Sequence, residues 1–121
     1  MKKTILIVDD FANTRFVIEM TLKNAGYNVI GAESGKEALM YLADKKIDLI
    51  ISDFNMPQMN GLEFIKKAKA MPQYRRTPVF ILSTETDPDT KKKAFEEGIT
   101  TWIKKPFKME HFLKLIEKAL R

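Results

Sequence analysis

Asp9, Asp10, Asp53, Ser83 and Lys105 share one feature: each follows, directly or within two residues, a run of apolar residues. The runs cover residues 4–8, 49–51, 78–82 and 100–103. If those runs are strands of one sheet, the five polar side chains meet at a single edge. Three carboxylates within a few ångströms repel one another and require a cation. An oxygen-only ligand set, with neither His nor Cys, suits Mg²⁺ or Mn²⁺, with water and a ligand phosphate completing an octahedron. A lysine beside them either neutralises one acid as a plain ion pair or balances an incoming anion, as cations do in phosphoryl transfer. Ser83 adds one hydroxyl donor. A carboxylate can itself attack phosphorus and form an acyl phosphate. Asp53, flanked by the others, is the expected nucleophile, with the metal and Lys105 spreading the transition-state charge. A lone Asp at such a place would read as a loop cap, and acids splayed into solvent are the bland alternative.

The elements that must position these groups are legible from periodicity. Residues 49–51 form a short β-branched run that suits a strand buried on both faces. Met56-Pro57 and Asn60-Gly61 after it force a loop. Residues 4–8, 28–32 and 78–82, with a short run at 100–103, read as further strands. Between them lie helical patterns. Val17, Ile18, Leu22 and Ala25 are expected on one inward stripe, stopped by Gly26. Ser34-Gly35-Lys36-Glu37 is a capping box, with Ala38, Leu39 and Leu42 inward. Asn60-Gly61-Leu62-Glu63 opens a helix through Phe64, Ile65 and Ala68. Residues 71–77 read as a polar loop. Asp87-Pro88 supplies an N-cap and a first-turn proline, and Gly98 ends that helix. A last helix is expected to bury Phe112, Leu115, Ile116 and Ala119. Five strands alternating with five helices predict an α/β fold, a parallel sheet with helices on both faces, and carboxyl ends that carry the chemistry.

With 121 residues, 45% hydrophobic and 31% charged, the chain is expected to form one domain, residues 1–121, with a real core. It has no cysteine, which excludes disulfides and thiolate metal sites. No apolar run approaches the roughly 20 residues of a membrane span, and the opening residues do not resemble a signal peptide. The expected compartment is therefore the cytoplasm, with no membrane insertion. The net charge of +5 invites nucleic acid or an acidic partner surface. Yet the lysines fall mostly on expected outer helix faces, without the interleaved aromatics of a nucleic-acid groove, so no nucleic acid is expected.

The chain resembles the receiver domain of two-component response regulators, and among them the single-domain chemotaxis regulators of the CheY type. The resemblance spans the whole sequence and rests on Val8-Asp9-Asp10, Asp53-Phe54-Asn55-Met56-Pro57 with Gly61, Leu82-Ser83-Thr84 and Lys105-Pro106-Phe107. It implies a flavodoxin-like sheet of order 2-1-3-4-5 and phosphorylation of Asp53 from a sensor histidine kinase. It also implies Mg²⁺ bound by Asp10, Asp53 and the backbone carbonyl of Asn55, with Asp9 acting through water, and phosphoryl oxygens bound by Ser83 and Lys105. The Lys105-Pro106 bond is expected to be cis. The resemblance further implies a switch: Ser83 is drawn to the phosphoryl group, an aromatic on the fifth strand turns inward, and the face of the fourth helix, fifth strand and fifth helix changes. Trp102 holds that aromatic place, where Tyr or Phe is commoner; a Trp merely packed between helices is the alternative. Asn55 and Glu85 sit where family members tune hydrolysis of the acyl phosphate, and Thr84 leaves the site open. Such a domain catalyses its own phosphorylation and dephosphorylation without being a conventional enzyme.

His111 lacks partner spacing, so a solvated or half-packed side chain is expected. Phe11, Met56 and Met59 suit either a docking surface or loop packing. With no second domain after Arg121, output is expected through protein contact, on the flagellar motor switch or another target, or through a phosphorelay or phosphate sink in stress signalling. Three rivals remain. A flavin protein of this fold needs Gly, Ser or Thr donors in its first loop, where Asp9-Asp10 would repel phosphate. An Asp-nucleophile phosphohydrolase usually carries a second Asp two residues on, where this chain has Asn55. A docking module that works unphosphorylated would not need all five site residues.

Overall fold

The computed structural model describes residues 2–121; Met1, the first residue of the expected domain, lies outside them. Strands β1 (Thr4–Val8), β2 (Asn28–Ala32), β3 (Leu49–Asp53), β4 (Val79–Ser83) and β5 (Thr101–Lys104) alternate with helices α1 (Ala12–Asn24), α2 (Gly35–Asp44), α3 (Gly61–Lys69), α4 (Pro88–Glu96) and α5 (Met109–Ala119). All strand pairs are parallel, as the alternation of strands and helices predicts, in the order β2-β1-β3-β4-β5 that the resemblance implies.

Every residue of β3 and β4 is buried, which is why both read as unbroken apolar runs. Alternation then sorts their side chains into two cores. Leu6, Val8, Ile50, Val79 and Ile81 pack with Ala38 and Leu42 of α2, Phe64 and Ile65 of α3, and Ala94 of α4. Ile5, Ile7, Leu49, Ile51, Phe80, Leu82 and Ile103 pack with Ile18 and Leu22 of α1 and Phe112 and Ile116 of α5.

The helix starts follow their caps. Ser34 accepts a hydrogen bond from the Glu37 N–H at 3.1 Å, and Asn60 from the Glu63 N–H at 2.9 Å. Asp87 precedes Pro88 as expected, but its carboxylate accepts from the Thr90 hydroxyl at 2.9 Å rather than from a backbone N–H. Gly98 takes φ of 107° beyond the end of α4, a left-handed conformation that glycine adopts without strain.

Four expectations need correction. Val17 and Ala25 are exposed: Ile18 and Leu22, one turn apart, centre the inward face, and Val17 lies about 100° round the helix from Ile18. The outward side of α1 consequently carries Phe16, Val17 and Met20. Leu115 and Ala119 are only half-buried, so Phe112 and Ile116 hold α5 to the sheet. Residues 71–77 are not simply a polar loop. They contain a 3₁₀ turn at Pro72–Tyr74, and Tyr74 is buried. Its hydroxyl donates to the carbonyls of Leu42, at 2.7 Å, and Lys45, beyond the end of α2. Lys69 likewise leaves the outer face. Its ammonium donates to the carbonyls of Tyr74, Arg75 and Thr77, and partial burial lowers its pKa. A long apolar stem let the side chain turn inward where only its charge suggested solvent.

Tyr74→Phe leaves the Leu42 and Lys45 carbonyls without that donor inside the fold. It is expected to cost about 1–3 kcal/mol, read as a lower urea midpoint at unchanged m value. An unchanged midpoint would show that the hydroxyl contributes nothing.

Candidate functional site

Strand register builds the site. Val8 pairs with Ser52, and Asp53 with Leu82, so Asp9, one step past Val8, lies level with Asp53. Asp9, Asp53 and Lys105 each sit two residues beyond an apolar residue of the same core, Ile7, Ile51 and Ile103 respectively. In a pleated strand that spacing means the same face. β1 and β3 flank the point where the strand order reverses, the crevice in which open α/β sheets bind ligands.

The side chains meet there. Asp9, Asp10 and Asp53 each offer a carboxylate oxygen, and these three atoms lie within 4.8 Å of one another. Asp9 and Asp53 are buried, with Asp10 half-buried. The Lys105 ammonium forms an ion pair with Asp53 Oδ1. Asp9 Oδ1 accepts from the Phe11 N–H at 2.9 Å, whereas Asp9 Oδ2 and Asp10 Oδ1 are buried with no donor among the described residues. Buried acceptors without donors, in a cluster holding more acids than ammonium groups, fit a hard cation.

Ser83 is buried at the end of β4, and its Oγ accepts from the Glu85 N–H at 2.9 Å. That bond uses a lone pair, so the hydroxyl proton stays available to an anion. The Lys105 N–H donates to the Ser83 carbonyl at 2.8 Å, tying the two strand ends together, and the Lys105-Pro106 bond is cis. Below the loop, Gly61 is held so close that a Cβ there would come within 2.7 Å of the Asp53 carbonyl oxygen.

The remaining expected residues divide. Asn55 is exposed on the loop after β3. Glu85 is folded back, its carboxylate accepting from the N–H groups of Thr86 at 3.0 Å and Asp87 at 2.9 Å, so it braces the entry to α4. Met56 is buried and Met59 packs against the core, while Phe11 is 68% exposed. The two methionines are thus loop packing, and only Phe11 keeps the character of a surface. Trp102 is half-buried and packs on Phe54, with ring centroids 5.3 Å apart. Its indole Nε1 is buried without an acceptor. His111 is exposed beside it, on the rim of a groove that Trp102, Phe107 and Leu115 also line. Sequence reasoning missed Arg15, whose guanidinium donates to the Asp9 carbonyl at 2.6 Å. No motif marked it.

Electrostatics at the rim are dominated by burial. Burial, with Asp9 and Asp10 adding to it, pushes the Asp53 carboxyl up to about 6 against the pull of Lys105. Burial likewise raises Asp9, opposed by the Phe11 N–H, Lys105 and Arg15. Asp9 and Asp53 are uncomfortable as anions.

Comparison with known proteins bears on this arrangement. A family model described as the response regulator receiver domain matches residues 5–117. The DNA-binding transcriptional regulator NtrC of Salmonella typhimurium is 34% identical over 114 residues, 94% of this chain but 24% of its own length. The chain thus spans about a quarter of the NtrC regulators it matches. A chemotaxis protein CheY homolog of Campylobacter jejuni is 35% identical over 118 residues, covering 96% of this chain and 91% of the homolog. Among solved structures, the chemotaxis protein CheY4 of Vibrio cholerae superposes with a TM-score of 0.95 at 41% identity, over 99% of this chain and 100% of that one.

An acid whose pKa is higher folded than unfolded favours folding when protonated. Its contribution is therefore full below the ordinary value of 3.8 and is lost as pH rises through about 6. In magnesium-free buffer, Asp53→Asn should be more stable than the parent at pH 7 by about 1–3 kcal/mol, a difference that shrinks toward zero by pH 4. Urea unfolding of both proteins across that range checks it, and a variant less stable than the parent at pH 7 refutes it.

Proposed function

The chain belongs to the response regulator receiver family, and from that membership we propose that it takes a phosphoryl group from a histidine kinase onto Asp53. The observation that carries the reading is the meeting of three carboxylates within 4.8 Å with the Lys105 ammonium on Asp53. On this reading residues 1–121 are one receiver domain working in the cytoplasm. Asp10, Asp53 and the carbonyl of Asn55 would hold Mg²⁺, or Mn²⁺ in its place, with Asp9 acting through water. The ion supplies positive charge that offsets the crowded acids and attracts the donor's phosphate oxygens.

Each residue then has a task set by its chemistry. An oxygen of Asp53 attacks phosphorus; the new O–P bond forms as the P–N bond of the phosphohistidine breaks, and the imidazole leaves. Lys105, paired with Asp53 beforehand, transfers its ammonium to the incoming phosphoryl oxygens, where negative charge grows. Ser83 donates its free hydroxyl proton to another of those oxygens. Asn55, exposed two residues beyond the acceptor, would orient the water that later hydrolyses the acyl phosphate. Glu85 could join it only by releasing its two backbone donors.

The phosphoryl group brings about two negative charges next to Ser83. Ser83 moving toward it would shift the loop that Glu85 braces, and Trp102, packed on the residue after the acceptor, would report the change. The output is a protein-binding face formed by α4, β5 and α5. Chemotaxis is the pathway favoured here, because the chemotaxis relatives match along almost their whole length. On that reading the downstream target is a protein such as the flagellar motor switch. The NtrC match supports a second reading, a receiver that directs some other response.

Incubation with acetyl phosphate and Mg²⁺ should add one phosphoryl group by mass and change the emission of Trp102, the sequence's single tryptophan. Asp53→Asn should abolish labelling, and Lys105→Ala should slow it by roughly 100-fold. Labelling of Asp53→Asn at the parent rate would refute the assignment.

A further inference from the structure

Arg15 belongs to no motif in the sequence, yet it reaches the acid cluster from α1. Its Nη1 donates to the Asp9 backbone carbonyl at 2.6 Å. Its Nε lies 3.6 Å from Glu19 Oε2, one turn further along the helix. Both side chains are largely withdrawn from solvent, at 18% and 20% exposure. Glu19 in turn lies over Gly31 of β2, where a Cβ would stand 2.6–2.8 Å from its carboxylate. The bare backbone of Gly31 is what gives that carboxylate room.

Asp9 is thereby held at three points. Its N–H donates to the Ala32 carbonyl at 3.0 Å, its Oδ1 accepts from the Phe11 N–H, and its carbonyl oxygen accepts from Arg15. One polar atom of Asp9 is left over, Oδ2, which has no donor. The carbonyl that Arg15 grips also belongs to the peptide unit joining Asp9 to Asp10. A peptide unit is planar, so fixing its oxygen limits rotation of both residues.

We propose that Arg15 is a positioning residue of the cation site, fixing the peptide plane between Asp9 and Asp10 and thereby aiming their carboxylates, with Glu19 over Gly31 holding the guanidinium in place. The inference rests on the metal-dependent receiver reading above. A guanidinium suits the task because its rigid planar fork serves two acceptors at once. The pull acts on the backbone, so Arg15 touches neither the ion nor the transferred group. Groups that orient metal ligands in this way typically contribute about 10–100-fold to affinity.

The test is a Mn²⁺ titration of the full chain in which free Mn²⁺ is counted by electron paramagnetic resonance. Arg15→Gln should weaken Mn²⁺ binding by about tenfold, and Arg15→Lys, which keeps the charge and one donor group, should recover part of that loss. Leu22→Ala, in the core far along α1, should lower stability without changing the affinity. Unchanged affinity in Arg15→Gln overturns the proposal, and so does an equal loss in Leu22→Ala. Should Arg15→Gln fail to fold, Gly31→Ala decides. The three atoms nearest its new Cβ all belong to the flexible end of Glu19, so weaker Mn²⁺ binding supports the proposal and unchanged binding overturns it. Asp10→Asn separates the two levels of argument. If it binds Mn²⁺ as the parent does, or the parent binds none, the metal reading itself fails and this inference with it.

Discussion

Three carboxylates crowd together at the carboxyl rim of the sheet, one of them, Asp53, paired with the ammonium of Lys105, and much else in the molecule answers to that crowding. Like charges in a partly buried pocket are costly, and the cost is visible in the raised pKa of Asp9 and Asp53. The cluster persists because its members are not free to move apart. β1 and β3 are locked in register by their ladder, and both strands are anchored by side chains buried on both faces. The hydrophobic cores thus supply the stability that the site consumes. On the proposed reading, a cation arriving in such a pocket would relieve that repulsion.

How much of this was legible in the sequence depends on the scale of the interaction. The strands could be read because β1, β3 and β4 are buried on both faces and so carry unbroken apolar runs. The convergence of Asp9, Asp53 and Lys105 could be read because parallel strands send their carboxyl ends to one rim. Caps such as Ser34 and Asn60 are local, and local signals survive in the sequence. What failed were questions of rotation and reach. Whether Val17 faces in or out is decided by about 100° of helix rotation, set by the packing of Ile18 and Leu22. Tyr74, Lys69 and Arg15 each act on backbone carbonyls of other segments, and a backbone carbonyl has no residue type to detect. Nor could the sequence say that Glu85 folds back on the loop rather than facing the acids.

The net charge of +5 and the acidic pocket describe different regions of one surface. The cationic excess is spread over helices and loops, whereas three of the sixteen acidic residues meet in one crevice. On the proposed reading an anionic donor would be drawn to the body of the protein by the first, and would reach Asp53 more readily once a cation had screened the second. Attraction at long range and repulsion at contact would together, on that reading, make the divalent ion a gate on the chemistry.

The connection from the pocket to the outer face runs through adjacent residues. Phe54 follows Asp53, lends its N–H to the Leu82 carbonyl at 3.0 Å and accepts from the Gly61 N–H at 2.7 Å. Its ring meets that of Trp102. The backbone of Phe54 is therefore pinned on both sides while its side chain touches the aromatic at the edge strand. On the Trp102 side the contact is less settled, because the indole N–H is buried without an acceptor, a state that costs roughly 1–3 kcal/mol. A rigid element next to the acceptor, packed against an element with an unmet hydrogen bond, is an unequal pair. A small shift of the loop after β4 would act mainly on the second, because the first has no freedom to yield. On the proposed reading, that asymmetry would give a change at the pocket a direction in which to travel, outward along β5 toward the groove beside α5.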